Sequence, residues 1–417
     1  MVQFSVKCKG KGKEELHRFQ AIGGVRQVVS MRLGGTVGIG VVLLLAVFPP
    51  LGSIILLVWI ACSILKMRAN SLPVLAYDRE SPFGESLLAH CTSIQKDYTP
   101  PAVLCFSMLH CMVVPFRKAR DMPPYERSNL RTSDGGHIAL DWCTHASDTN
   151  STPTVILLTG VGGNSTASYI QHSVWCLFDA GYRVVVANHR GTEGTPLTSP
   201  VLFSGTFTND IRSVVDDLYC NQCFENLIVV GYSIGACILT KYLGEEGDKC
   251  VLKGAMAISH PCNTKLAAKN MSWLVDRHVL AGLQKGQLNF HRHFPAHHIT
   301  RRGKSAKIKN VQDFDSIYTA PMNGYESVDA YYEDGDLQKW LPSIATPFLF
   351  LVAKDDPLII KKDEIPLHLF RKSPLSMCVL TLNGGHLGWI KGRILPTPSS
   401  HMDDVMLDYC SYLRKAM

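Results

Sequence analysis

The stretch that decides the fold is Asn226-Leu-Ile-Val-Val-Gly-Tyr-Ser-Ile-Gly-Ala-Cys-Ile-Leu-Thr-Lys-Tyr-Leu243. Its first part is an apolar, β-branched run typical of a buried strand, and its second part has the composition of a helix. Ser233 lies at the junction, with Gly231 and Gly235 two residues away on either side. A strand, a glycine-flanked serine turn and a helix form the nucleophile-elbow pattern, which predicts a reactive Ser233 at the end of the strand. The alternative is an ordinary Ser/Gly turn.

Strand and helix patterns alternate on both sides of this stretch. The turn Asp134-Gly-Gly136 predicts a hairpin, and residues 402–416 predict a closing amphipathic helix. Besides the elbow strand, strands are predicted at 154–158, 183–187, 251–258, 347–353 and 377–382, with helices at 167–180 and 209–220. This alternation predicts an α/β fold with a mostly parallel central sheet and helices on both faces. It breaks between about 261 and 330, which predicts a cap insertion after the sixth strand.

Length and charge limit the organisation of the chain. Its 417 residues allow one large α/β domain and an accessory region. The formal net charge is +7, and residues 1–32 hold seven Lys or Arg against two Glu, so most of the excess lies in a basic N-terminal tail. Because a nucleic-acid footprint would lie on the folded domain, nucleic acid is not expected as a partner. The catalytic domain is predicted at 127–417, after a proline-containing approach segment at 66–126.

Residues 33–65 contain no Asp, Glu, Lys, Arg or His. As one helix this segment would be about 50 Å long at 1.5 Å per residue, whereas the hydrocarbon core of a bilayer is about 30 Å thick. The segment therefore predicts a tilted transmembrane helix or a re-entrant hairpin that turns at Pro49-Pro50. We expect a membrane location, with the endoplasmic reticulum as a candidate. A single span would place the catalytic domain in the lumen or outside, and a hairpin would leave it cytosolic.

A nucleophilic serine needs a base and a carboxylate that orients the base, and behind an elbow these follow in the order Ser, Asp, His. His386 lies in the glycine-rich loop Asn383-Gly-Gly-His386, directly after the last predicted strand, and is the expected base. Asp355 and Asp356 both follow the strand at 347–353, at the sheet edge where open α/β folds place their sites. Either could orient the imidazole.

Two backbone N–H groups are expected to stabilise an oxyanion. One belongs to Ile234, directly after the serine, and the other to Val161 in the loop Thr159-Gly-Val-Gly-Gly-Asn164. The alternative is that Gly162-Gly163 only make a tight turn. A phosphate-binding loop is excluded because no Gly-Lys-Ser/Thr follows.

No cofactor and no metal are expected. Cys220-Asn-Gln-Cys223 is a single C-x-x-C without a second pair, so zinc is not predicted. Four histidines interleaved with arginines in the cap insertion lack carboxylate or thiolate partners at ligand spacing. They indicate either a basic, partly apolar surface near a bilayer or a solvated loop; these histidines are His291, His293, His297 and His298.

Several motifs occur in order along residues 66–417. They are Asp134-Gly-Gly136, Leu140-Asp-Trp142, Asn188-His-Arg-Gly191, Gly231-Tyr-Ser-Ile-Gly-Ala236, Phe314-Asp315, Asp355-Asp-Pro357 and Gly384-Gly-His-Leu-Gly388. Together they resemble the membrane-anchored α/β-hydrolase-domain lipases and esterases, which include monoacylglycerol lipases and phospholipases. The resemblance implies the α/β-hydrolase fold and a triad of Ser233, Asp356 and His386. The chain departs from many members at Ala236, where they have a second glycine.

The resemblance also implies the activity. We expect a membrane-anchored serine hydrolase that cleaves acyl esters of lipids, such as monoacylglycerol or phospholipid, through an acyl-enzyme. One alternative is an acyltransferase that uses the same acyl-enzyme, although the H-x-x-x-x-D motif of several relatives is absent. The other is a non-catalytic lipid-binding or receptor protein of this fold. The head group, the acyl length and the oligomeric state are not predicted.

Overall fold

The computed structural model describes residues 4–7, 16–19, 58–59, 61, 72–117, 120–192, 194–304, 307–358 and 365–417. The chain divides into two units, Met1–Val58 and Trp59–Met417. In the first unit, strands β1 (Phe4–Lys7) and β2 (Leu16–Phe19) pair antiparallel. The rest of the predicted basic tail, and the predicted anchor at 33–65 apart from residues 58, 59 and 61, lie outside the described residues. Within the described part of the chain, no helix is both long and apolar enough to cross a bilayer.

The second unit is built on a nine-stranded sheet. Its strands, in chain order, are β3 (Val74–Tyr77), β4 (Glu126–Arg131), β5 (His137–Cys143), β6 (Thr154–Leu158), β7 (Arg183–Asn188), β8 (Leu227–Tyr232), β9 (Gly254–Ile258), β10 (Phe348–Ala353) and β11 (Ser376–Thr381). They lie side by side in the order β3-β11-β10-β9-β8-β6-β7-β5-β4. From β11 to β7 all neighbours are parallel, and β3, β5 and β4 pair antiparallel at the two edges.

The chain order reverses its direction across the sheet between β6 and β8. From β6 the chain passes to β7 on one side, and it then returns to β8 on the other. In open α/β sheets the ends of the strands at such a reversal leave a crevice where ligands bind. Ser233 follows β8 directly, so the reversal brings the elbow to this crevice.

Helices cover both faces of the sheet and form the cap. They are α1 (Pro82–His90), α2 (Ser107–Val113), α3 (Ser168–Asp179), α4 (Asn209–Asp216), α5 (Ile234–Glu246), α6 (Thr264–Asn270), α7 (Trp273–His293), α8 (His298–Lys304), α9 (Val311–Phe314), α10 (Ala320–Met322), α11 (Val328–Asp334), α12 (Leu337–Trp340), α13 (Leu367–Phe370) and α14 (His401–Ala416). Short 3-10 or π turns extend several of them; these include Val114–Phe116, Asp217–Asn221 and Asp315–Thr319.

Alternation of side chains along the strands divides the core in two. On β6, Val155 and Leu157 face a core that contains side chains of α1, α3 and α14. Ile156 and Leu158 face the opposite core, which contains side chains of α4, α5 and α12. Because both faces are buried, every residue of β6, β7 and β8 is buried, which is why these strands read as continuous apolar runs. The predicted parallel sheet covered on both faces is therefore confirmed.

Two segments are more ordered than their sequences indicate. The approach segment supplies the edge strand β3, whose residues Val74–Tyr77 pair with β11 about 300 positions later in the chain. The cap insertion contains helices α6 to α11, including the 21-residue α7. Polar and histidine residues on the exposed side of α7 hide its helical period from a simple count of apolar residues.

Candidate active site

The elbow holds Ser233 in a conformation that few non-glycine residues adopt. Its φ is +55° and its ψ is −117°, at the junction between β8 and α5. Both flanking glycines are sterically required, because a β-carbon at Gly231 would lie 2.5 Å from Gly235 O and one at Gly235 would lie 2.5 Å from Leu158 O. Such a strained backbone persists only where its surroundings impose it, and this happens mostly at functional sites.

His386 joins the serine to a carboxylate. Its Nε2 is 2.9 Å from Ser233 Oγ, and its Nδ1 is 2.9 Å from Asp356 Oδ2. The Asp356 side chain is fully buried, whereas that of His386 is 17% exposed. With the Nδ1 proton donated to Asp356, Nε2 is free to accept the proton of Ser233. The structure therefore brings together the three residues that the sequence proposed as a triad, over separations of 153 and 30 positions.

The two adjacent aspartates make different contacts. Asp356 Oδ2 accepts a hydrogen bond from His386 Nδ1, and Asp356 Oδ1 accepts one from the Leu358 N–H at 2.9 Å. Asp355 Oδ1 accepts the Gly385 N–H at 2.8 Å. Asp355 thus fixes the loop that carries His386, a role that the sequence did not predict. Ser259, also missed in the sequence, accepts the Leu387 N–H at 3.2 Å and holds the other side of this loop.

The loop after β6 lies beside the serine. A β-carbon at Gly160 would be 3.3 Å from Ser233 Cβ, and the Gly160 N–H donates to the buried hydroxyl of Tyr169 at 2.9 Å. Val161 and Ile234 line the same cavity as Ser233 and His386. In the described part of the chain, neither the Val161 nor the Ile234 N–H donates to another backbone group. At Ile234 this follows from its position at the helix start.

A buried polar network holds Ser165, the residue directly after this loop. Asp141 on β5 receives two hydrogen bonds from Arg127, at 2.6 and 2.7 Å, one from Ser165 and one from Asn188 at 2.8 Å. Asn188 in turn accepts the Ser165 N–H at 2.9 Å. These contacts outweigh the desolvation that raises the carboxyl's pKa, so that the pKa of Asp141 is lowered. Two of the sequence motifs, Leu140-Asp-Trp142 and Asn188-His-Arg-Gly191, therefore meet in one structural network.

A second buried group belongs to the same motifs. Arg190 is 1% exposed and pairs with both Asp134 and Asp210. The guanidinium also lies over the ring of Phe207, 4.9 Å from its centroid. Arg190 thereby connects the β4–β5 turn to the start of α4, and these charged motif residues hold the scaffold rather than line the cavity.

A cavity of about 830 Å³ opens beside Ser233 and His386. Its walls come from α2, the loop after β6, and the cap helices α6, α7 and α9. Most of the lining side chains are apolar; they include Met108, Val279, Leu283, Phe314 and Met322. This volume and lining are suited to a long apolar ligand, since ligand pockets are usually apolar clefts of about 300–1,000 Å³.

One carboxyl group is buried in the wall of this cavity. Asp315 is 5% exposed, and burial raises its pKa to about 6 although Thr319 and Tyr332 both donate hydrogen bonds to it, at 2.6 and 2.8 Å. The sequence identified Asp315 only as part of a motif. Asp315 belongs neither to the proposed triad nor to the proposed oxyanion site. It is a titratable group next to the proposed substrate site.

The histidines and cysteines do not cluster into a metal site in the described part of the chain. No group of three or more His, Cys, Asp or Glu is placed to hold a metal within the described residues. Tyr318 Oη lies 2.9 Å from His291 Nε2, and His293 Nδ1 lies 2.9 Å from its own helix's Asn289 O. Cys220 and Cys223 are exposed free thiols.

Comparison with known proteins gives the relatives of this chain. The model of the alpha/beta hydrolase fold family matches residues 153–392. Phospholipase ABHD3 from Bos taurus is 32% identical over 358 residues, covering 84% of this chain and 86% of the relative. Monoacylglycerol lipase ABHD2 from Homo sapiens is 27% identical over 387 residues, covering 87% and 90%. Among solved structures, alpha/beta hydrolase domain-containing protein 10 from mouse is 14% identical, with a TM-score of 0.44, and covers 70% of this chain and 100% of its own.

Proposed function

Because this chain belongs to the α/β-hydrolase family, among its ABHD-type members, and is a carboxylic ester hydrolase, we propose that it cleaves acyl esters of lipids with Ser233 as the nucleophile. The observation that carries the proposal is the bridging His386, 2.9 Å from Ser233 on one side and 2.9 Å from Asp356 on the other. It lies at the edge of an apolar cavity of about 830 Å³.

The first half of the reaction forms an acyl-enzyme. His386 Nε2 takes the proton of Ser233 as Oγ attacks the ester carbonyl, and the buried Asp356 stabilises the imidazolium through Nδ1. The carbonyl oxygen becomes an oxyanion, which the N–H groups of Val161 and Ile234 stabilise. The protonated His386 then gives its proton to the leaving alcohol, and the C–O bond to that alcohol breaks.

The second half returns the enzyme to its starting state. A water takes the place of the alcohol, loses a proton to His386 Nε2 and attacks the acyl carbon. Collapse of this second tetrahedral intermediate releases the fatty acid and returns the proton to Ser233. His386 Nε2 accepts or donates the proton in each transfer of the cycle.

The cavity supports a lipid as the substrate. Its apolar lining side chains come from the body and from the cap, so most of an acyl chain inside it would be removed from water. The names of two relatives, a phospholipase and a monoacylglycerol lipase, are consistent with glycerolipid esters. We further propose that residues 33–65 anchor the enzyme in the membrane that holds its substrate, since this run of 33 residues carries no charged side chain.

The decisive experiment compares wild-type protein with Ser233→Ala. The full-length proteins are labelled with a fluorophosphonate probe and assayed on monoacylglycerol and phosphatidylcholine, with release of fatty acid as the readout. We expect labelling and hydrolysis by wild type only, with a loss of rate of at least about 10⁴-fold in the variant. Undiminished hydrolysis by a folded Ser233→Ala protein would show that another residue is the nucleophile.

A further inference from the structure

The mouth of the cavity is rimmed by exposed apolar side chains. Met112, Phe116 and Leu274 line the cavity, yet 51%, 77% and 57% of their surfaces remain exposed to solvent. A side chain can satisfy both conditions only where the cavity opens at the surface. Trp273, which precedes Leu274, is 71% exposed. Large apolar side chains concentrated at one opening mark a surface that associates with something apolar.

The cap helix α7 continues this surface. Its solvent-exposed side carries Trp273, Leu274, Arg277, Lys285, Leu288 and Arg292, which we call the outer cap face. The one acidic residue of this fully described helix, Asp276, is 9% exposed and accepts the Val311 N–H at 2.9 Å. A helix face of Trp, Leu, Lys and Arg without a carboxylate is typical of helices that lie in the plane of a membrane interface.

The positive charges of this face lack acidic partners among the described residues. Arg277, Lys285 and Arg292 form no ion pair within the described part of the chain. Residues 271–310 contain eight Lys or Arg and one Asp, although the net charge of the whole chain is only +7. The cap is therefore the basic part of the folded unit, next to the opening of the cavity.

We propose that the outer cap face binds the surface of a bilayer that contains anionic phospholipid and so holds the cavity mouth against it. This inference rests on the proposed lipid esterase function and adds how substrate reaches the cavity. The apolar rim enters the boundary between head groups and acyl chains, where tryptophan is favoured, and the three basic side chains contact lipid phosphates. A lipid then moves from the bilayer into the cavity without crossing bulk water.

The charge distribution favours a bilayer over an acidic protein as the partner. The basic residues alone would suit either partner, but the apolar rim and the basic face meet at the opening that a lipid must enter. Each Lys or Arg close to the surface of an anionic bilayer strengthens binding by about fivefold. Three such residues therefore predict a measurable dependence on anionic lipid and on salt.

The test uses the full-length protein reconstituted in vesicles of phosphatidylcholine alone or with phosphatidylserine. The variant is the triple replacement Arg277→Glu, Lys285→Glu and Arg292→Glu. Its matched control is the triple replacement Lys249→Glu, Lys253→Glu and Lys372→Glu. These three exposed residues come just before β9 and β11, and therefore lie at the sheet edge opposite Ser233. Two substrates are compared, a long-chain ester within the bilayer and the soluble p-nitrophenyl acetate.

We expect phosphatidylserine to accelerate hydrolysis of the bilayer ester by wild type and by the control. The cap triple variant should lose this acceleration, a fall on the order of 10-fold or more, while its rate on p-nitrophenyl acetate stays within about twofold of wild type. An equal fall on both substrates would overturn the proposal, as would wild-type rates that do not depend on phosphatidylserine. Wild type that hydrolyses neither substrate would instead contradict the proposed function.

Docking is also measured without catalysis. Trp273 fluorescence, taken as the difference between wild type and Trp273→Phe, should be quenched by brominated lipid when phosphatidylserine is present. Less quenching at high salt would agree with charge-driven binding. Absence of quenching under every condition would overturn the proposal and leave a soluble acidic partner as the explanation of the basic face.

Discussion

Gly282 of the cap helix lies against Val161 of the loop after β6. A β-carbon at position 282 would be 2.9 Å from Val161 Cγ1 and 3.6 Å from Val161 O, and one at Gly162 would be 3.2 Å from Gly282 Cα. The helix backbone at Gly282 therefore packs directly against Val161 and Gly162, with no room for a side chain at position 282. Because Val161 is a proposed oxyanion donor, the position of α7 and the geometry of the reaction are mechanically connected.

Gly282→Ala should lower kcat. The added methyl group must displace Val161 or lift α7, and losing one oxyanion donor completely costs about 10²–10³ in kcat. We expect a partial displacement and a fall of roughly 10-fold in kcat with a smaller change in KM. Steady-state kinetics on a short soluble ester measure this.

Gly286→Ala, four residues later on the same helix, is the matched control. Its β-carbon would meet only Leu202 Cδ2 at 3.8 Å, an ordinary contact. Alanine is also about 1 kcal/mol better than glycine within a helix. We expect wild-type kcat and equal or higher thermal stability. The same kinetics in both variants would contradict a specific connection between Gly282 and Val161.

Replacements of the two neighbouring aspartates should differ in their effect on kcat. Asp356→Asn offers an amide to His386 Nδ1 and favours the wrong tautomer, so we expect kcat to fall on the order of 10⁴-fold. Asp355→Asn keeps an oxygen that accepts the Gly385 N–H and should remain close to wild type. Asp355→Ala removes that acceptor and should show an intermediate loss. Rates on one soluble ester, with circular dichroism as the check of folding, rank the three variants. A larger loss from Asp355→Asn than from Asp356→Asn would reverse their assignment.

Gly235→Ala should impair the elbow itself. The new β-carbon would lie 2.5 Å from Leu158 O and 2.7 Å from Thr159 O, which are backbone atoms that cannot rotate away. We expect a loss of stability of about 1–3 kcal/mol together with reduced activity. Ala236→Gly is the comparison at the next position, where a cost of only about 0.5–1 kcal/mol is expected. Thermal unfolding of both variants measures this, and equal Tm values would contradict the steric argument.

Asp315 should contribute to the pH dependence of stability. Burial raises its pKa to about 6 from an ordinary value near 4. Between these two values the folded chain binds more protons than the unfolded chain, so the free energy of unfolding falls as pH rises. The contribution of this group is fully present below about pH 4 and is lost as pH rises through 6, a change of roughly 1–3 kcal/mol.

Asp315→Asn removes this titration. We expect the variant to gain stability relative to wild type at pH 7.5 and to gain none at pH 4, measured as Tm at both values. Buried histidines change stability with the opposite sign, because burial lowers the pKa of His260 to about 3 and that of His401 to about 4. They are the same in both proteins and cancel in the comparison. Glu326→Gln, which removes the charge of an exposed carboxylate, is the matched control, and an equal pH-dependent gain in both variants would contradict the assignment to Asp315.

Local signals explain what could be predicted of the fold and the candidate site. The hairpin around Asp134-Gly-Gly136 and the strand at 154–158 were predicted at their observed positions, because period and turn residues act over a few neighbouring positions. The strand predicted at 251–258 begins only at Gly254. The edge strand Val74–Tyr77 was missed, since four residues among several prolines carry no clear period and pair with a strand far along the chain.

The sequence by itself determined the elbow, the order of the nucleophile, carboxylate and base, and the α/β architecture, because glycine requirements and strand-helix alternation are local. Their catalytic roles stay predictions until Ser233, His386 and Asp356 are tested. The resemblance already pointed to Asp356 as the partner of His386, and the tertiary structure alone decided that Asp355 fixes the loop of His386 and that Gly282 touches Val161. These relationships join residues from 30 to more than 100 positions apart. They depend on how the sheet and the cap pack as a whole, and no short stretch of sequence encodes that packing.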